Sequence, residues 1–362
     1  MALFSKTKAA ISPPPSKAAA AGGGFETGTG RAMIGAYYNY FEGDARNAAM
    51  SVPTVSRARD LIASVIGCMP LQMYNEMWNG DTMEKMPLAP RSWLRRIDPS
   101  VPNNFILSWT FDDLFFYGRA FWYITARTAD GFPTAFTRLP ASMVLTLDQA
   151  GPVWFAPSKE VQFNGNTLNP NDLVQFLSPI QGITSMSTQA VATALKLEAA
   201  RYRNASSAIP AGVLQVQAGS EPLSSTELAD LAASFNSARA TNQTAALSPE
   251  VHYLETQTSP DKMLLIDSAE FQGKEMARIC NVPLYLVGFD QGSYAYTSNE
   301  GARADLWTFG ARSYADCITS TLSQNNVLPN GTYIEFDTMN YLMGDYHDMP
   351  QVEDNERVES PT

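Results

Sequence analysis

The chain changes character at Gly182, and that switch limits the fold more than any single motif. Before it, short runs rich in Val, Phe, Trp and Tyr alternate with turn dipeptides. Asp130-Gly131 and Asn164-Gly165 are the strongest of these, because both supply the positive φ that a tight hairpin needs. Strands are expected over 71–74, 121–126, 135–139, 143–147, 153–156, 161–163 and 172–177. Two helices interrupt them. Val55, Ala58, Leu61, Ile62 and Val65 recur at helical spacing up to Gly67 and Pro70, and a second helix over 105–117 stops at Gly118. Antiparallel hairpins with helices among them make this an α+β chain.

After Gly182 the period lengthens. Residues 187–207 read as an Ala-rich helix with Val191, Leu195 and Tyr202 on one face, broken by Pro210 and Gly212. A strand over 213–216, a helix opened by the capping box Ser224/Glu227, and a strand over 251–254 form a small β-α-β insertion. Ser259-Pro260 is a start signal for a helix that runs to about Cys280 and is closed by Pro283. It carries Ala269, Gly273 and Ala277 four residues apart, a stripe of small side chains against which another helix can pack closely. A loop of Gly, Tyr and Ser spans 287–298, followed by a helix over 299–324 and a strand over 333–336.

Charge excludes one class. The 362 residues carry a net charge of −11, and the 335–362 stretch alone holds eight acids and one base. Tight binding to a phosphate backbone concentrates Lys and Arg, and no segment here does so. Residues 1–50, rich in Ala, Gly, Pro and Ser, are expected to be a largely disordered arm.

Reaction chemistry is equally thin. Cys68, Cys280 and Cys317 form no CxxC pair, which fits a reducing compartment, here the cytoplasm of the producing cell. His252 and His347 have no second ligand at metal-binding spacing. Asp112 and Asp113 are adjacent, so on a helix they diverge by about 100°, and they read as a solvated face. No phosphate-loop, dinucleotide, metalloprotease or nucleophile-elbow signature occurs. Neither a catalytic residue, a metal nor a cofactor is expected. A membrane span would need about 18 consecutive apolar residues, and no such run exists.

The order of the motifs resembles that of the portal, or head-to-tail connector, proteins of tailed bacteriophages. The likeness runs through Gly67-Cys68-Met69-Pro70-Leu71, Tyr117-Gly118-Arg119-Ala120-Phe121, Leu139-Pro140-Ala141-Ser142-Met143-Val144, Gly182-Ile183-Thr184-Ser185 and Ile209-Pro210-Ala211-Gly212-Val213. Its strongest piece is Glu275-Met276-Ala277-Arg278-Ile279-Cys280-Asn281-Val282-Pro283, with Gly288 and Tyr296-Thr297-Ser298-Asn299 beyond it; Tyr333 to Asp337 resembles the family's late strand. Arg119 and Phe121 replace the usual Asn and Tyr, and the long helix lacks an expected Pro.

The resemblance implies a portal-type fold: a disordered arm (1–50), an α+β wing (51–181), a first stem helix (182–208), a β-α-β clip (209–258), a second stem helix (259–282), a tunnel loop (283–299), the long wing helix and strand (300–338) and an acidic tail or short crown (339–362). It implies no enzyme. The expected assembly is a dodecameric ring at one capsid vertex of the virion, made in the host cytoplasm. The ring would be a conduit for DNA packaging and ejection, bound by the terminase large subunit, a head–tail adaptor and the major capsid protein. Phe289, Gly292, Tyr294 and Tyr296 would meet the double-stranded DNA in transit. Glu227 and Asp230 would dock the terminase or adaptor, and Ala269, Gly273 and Ala277 would pack between helices. The competing readings are another virion protein, such as a capsid-vertex adaptor, and a carboxylate-dependent hydrolase.

Overall fold

The helix Asn103–Tyr117 has buried side chains on every side from Thr110 to Tyr117, and one folding unit is built around it. A helix buried all round, Thr110, Asp112 and Asp113 included, must be enclosed. Gly118 ends it with φ 72°, and the Gly118 N–H donates to the Leu114 carbonyl at 2.9 Å. The computed structural model describes residues 44–149, 154–206, 213–216, 224–240, 251–254, 265–289 and 299–343. These divide into two units, the first drawn from Met1–Arg46, Ala63–Ser185 and Ser313–Thr338 and the second from Asn47–Ile62, Met186–Arg312 and Met339–Thr362.

The first unit holds three small antiparallel sheets. β3 (Arg119–Arg127) lies between β4 (Pro133–Leu139) and β8 (Leu173–Leu177) and packs on the central helix. Trp122, Phe136 and Phe176 interlock there, and the Trp122 indole N–H donates to Thr110 Oγ1 at 2.8 Å. β1 (Leu71–Trp78) pairs with β2 (Met83–Leu88) and with β11 (Thr332–Phe336). β5 (Val144–Thr146), β6 (Val161–Phe163) and β7 (Asn166–Leu168) form the third sheet. Helix Arg312–Leu322 closes the core with Tyr314 edge-on to Phe111. Gly182 has no room for a side chain: a Cβ there would sit 2.3 Å from the Phe116 carbonyl oxygen.

In the second unit, helices Thr188–Ser206 and Ile266–Ile279 pack together, joined by Gln272 Nε2 donating to the Ala190 carbonyl at 3.2 Å. β9 (Val213–Val216), helix Ser225–Ala240 and β10 (Val251–Leu254) form the insertion, with the two strands antiparallel. Asn281, with φ 54°, ends the helix Ile266–Ile279 ahead of Pro283.

Several expectations change. The 44–50 part of the supposed arm is helical, and 154–156 is irregular rather than a strand; Val153 and residues 1–43 lie outside the described residues. Ser259 and Pro260 lie outside them too. The long helix runs through three pieces, Asn299–Asp305, Leu306–Ala311 and Arg312–Leu322, and the middle one is a π-helix. A widened turn, not a proline, interrupts it.

Candidate packing and docking sites

Ala269, Gly273 and Ala277 lie along one side of the helix Ile266–Ile279, with Ala277 buried and the other two half-buried. Ala269 and Gly273 line a groove of about 340 Å³ with Ala194, Leu195, Met276 and Phe289. The stripe was expected to receive a helix. Over Gly273 the filler is instead an aromatic ring: a Cβ on Gly273 would lie 2.2 Å from Phe289 Cζ. Gly288, with φ 90°, turns the chain so that the Phe289 N–H donates to the Leu284 carbonyl at 3.1 Å and the ring folds back. Phe289 is therefore half-buried against its own chain. Gly292, Tyr294 and Tyr296 lie outside the described residues.

A second tie starts four residues earlier in the chain, at Tyr285. The Tyr285 hydroxyl donates to Asp305 Oδ2 at 3.0 Å, and burial together with this bond pushes the phenol up to about 12.

Glu227 and Asp230 are exposed on helix Ser225–Ala240. Glu227 is already engaged: its Oε2 accepts from the Ser224 N–H at 2.9 Å and from Ser224 Oγ at 2.8 Å, while the Glu227 N–H donates to Ser224 Oγ at 3.4 Å. This is the reciprocal capping box read in the sequence. The Ser224 bonds hold the Glu227 carboxyl below its usual range.

Sequence reasoning missed a charged cluster in the first unit. Asp112 and Asp113 hold different partners, and neither is solvated. Arg46 grips Asp112 through two bonds of 2.9 Å, and Arg138 Nε donates to Asp113 Oδ2 at 2.8 Å. Both guanidinium groups lie over the Trp109 ring, with Arg46 5.5 Å and Arg138 5.4 Å from its centre. Each carboxylate is buried because a partner cation comes with it. Burial still pushes Asp113 up to about 7 against the pull of Arg138. The partners are 66 and 25 residues away, so no local pattern reveals them.

Burial raises the Cys280 and Cys317 thiols to about 12, which leaves neither as a nucleophile at neutral pH. No group of three or more His, Cys, Asp or Glu able to hold a metal occurs among the described residues. None of their helices is long and apolar enough to cross a membrane.

Small antiparallel sheets, a packed helix pair and a strand–helix–strand insertion between its members define an α+β chain of the portal type. Its fold is similar to that of an HK97-family phage portal protein from Corynebacterium diphtheriae, with a TM-score of 0.61 at 19% identity over 82% of this chain and 96% of that one. The chain belongs to the phage portal protein family, whose model matches residues 53–352. A chain in the neck of an empty gene transfer agent particle gives a TM-score of 0.57 at 15% identity, covering 83% of this chain and 86% of that one. One in the virion of the native particle gives 0.56 at 14%, with the same coverage. No curated protein sequence matches significantly.

Proposed function

We propose that this chain is the subunit of a ring at a single capsid vertex, through which double-stranded DNA enters during packaging and leaves during ejection. The family match across residues 53–352 carries this reading. A structurally similar chain comes from a native particle neck computed with C12 symmetry, which supports twelve subunits. The ring performs no bond chemistry of its own.

In this reading residues 51–181 and 300–338 form the wing, 182–208 and 259–282 the stem, 209–258 the clip, 283–299 the tunnel loop and 339–362 an acidic tail. The clip, with Asp230 free of the capping box and Glu227 within it, meets the terminase large subunit and later the head–tail adaptor. The wing meets the major capsid protein. Tyr294 and Tyr296 supply uncharged bulk that touches DNA without the lasting phosphate contacts of Lys or Arg.

Electron microscopy of the purified protein tests the assembly. Twelve-fold rings with a central hole are expected; monomers, or solid particles without a hole, would overturn it.

A further inference from the structure

The hairpin of β1 and β2 outgrows its sheet. β11 pairs with β1 only from Leu71 to Asn75, whereas β1 and β2 stay paired to Trp78 and Met83. The outer half is thus a two-stranded ribbon, an arrangement only marginally stable in water by itself. Its turn is well built: Asn79 Oδ1 accepts from the Asp81 and Thr82 N–H groups, both at 3.1 Å.

That ribbon exposes large apolar side chains on both faces. Trp78 (63% exposed) sits opposite Met83 (56%) on one face. Met77 (55%) and Met86 (45%) belong to the other, opposite Glu84 and Asn75. A monomer rarely leaves such a set in water, and Trp is the residue most enriched among interface anchors.

Charge points to the occupant. Glu76, Asp81 and Glu84 surround the tip, and the ribbon's single base, Lys85, is paired with Glu335. Beyond β2, at the end of the short helix Ser92–Arg95, Arg95 and Arg96 are exposed and make no ion pair among the described residues. From the Met73–Leu88 pair to the Trp78–Met83 pair is five residues, roughly 17 Å of strand. An acidic apolar tip and a separate exposed basic pair, seven residues past the end of β2, suit a head-to-tail contact, the kind that closes into rings.

We propose that the tip of this ribbon, around Trp78 and Met83, docks on the next copy of the same chain near Arg95 and Arg96. The contact rests on the ring reading above and adds its location. Three proteins test it by electron microscopy and sedimentation: Trp78→Ser/Met83→Ser, Asp81→Arg/Glu84→Arg, and the last combined with Arg95→Glu/Arg96→Glu. The first two should yield roughly tenfold fewer rings or worse, with circular dichroism unchanged, and the combined variant should recover them. Normal rings from the first two variants would overturn the contact, as would rings that form but are not taken into capsids, since the occupant would then be the capsid protein. Failure of the combined variant to recover rings would overturn the Arg95–Arg96 partner. Wild-type protein that stays monomeric would sink the ring reading and this contact together.

Discussion

The ring of Phe289 occupies the space that a side chain on Gly273 would need, with Cζ 2.2 Å from where a Cβ would be. Gly in a helix interior is about 1 kcal/mol less stable than Ala, so Gly273→Ala would be stabilising if nothing lay above it. With the ring in place, Gly273→Ala should leave stability unchanged or lower it. In a Phe289→Ala background the same change should add about 1 kcal/mol. A double-mutant cycle by denaturant unfolding reads the difference; equal gains in both backgrounds would mean that the ring is not seated there. Gly273→Leu, which overfills the site, should also block ring assembly, and normal rings by sedimentation would contradict that.

The capping box separates two roles on the insertion. Ser224→Ala should cost about 1 kcal/mol and speed hydrogen exchange over the first turn of helix Ser225–Ala240. Asp230→Lys should spare that turn yet slow DNA packaging, because Asp230 takes no part in the cap. Packaging at the parental rate by Asp230→Lys would remove it from the docking surface.

The buried aspartates give a pH dependence. Folded Asp113 keeps its proton up to about 7, whereas an ordinary Asp loses it near 3.8. Between about pH 4 and 7 the folded state therefore binds more protons than the unfolded one, and this group's contribution to stability falls as pH rises. Asp113→Asn should flatten that slope in thermal melts. Arg138→Met should cost about 3–5 kcal/mol at pH 8, where Asp113 would have to stay charged without its cation or take up a proton. The loss should be smaller at pH 5, and an equal loss at both values would mean that Asp113 is ionised throughout.

Tyr294→Ala/Tyr296→Ala should leave rings intact while lowering the packaging rate or letting packaged DNA escape. Heads that fill and retain DNA as the parent does would rule out a DNA-contacting role for these tyrosines.

What the sequence disclosed was local. Asn164-Gly165 takes φ values of 50° and 80°, the Ser224/Glu227 box forms, and β9 and β10 begin and end where expected, because each signal lies within a few residues of its effect. β2 escaped notice because it is largely exposed and carries Glu84, Lys85 and Pro87 where a core strand would show Val or Ile. Asp112 and Asp113 read as solvated from sequence because nothing near them in the chain marks the distant Arg46 and Arg138. The Phe289 seat on Gly273 was hidden in the same way: glycine announces that something comes close, not what.

The π segment Leu306–Ala311 has a consequence for the registry of the long helix. A turn closed by i→i+5 bonds accommodates one more residue than an α-turn. The residue count across the segment therefore exceeds that of an unbroken α-helix by one, a shift in helical register of about 100°. The buried side of Arg312–Leu322 is marked by Tyr314, Cys317, Ile318 and Thr321. A relative with a regular α-helix here would align without a gap only on one side of the segment. On the other, a single-residue insertion would have to be placed between Leu306 and Ala311.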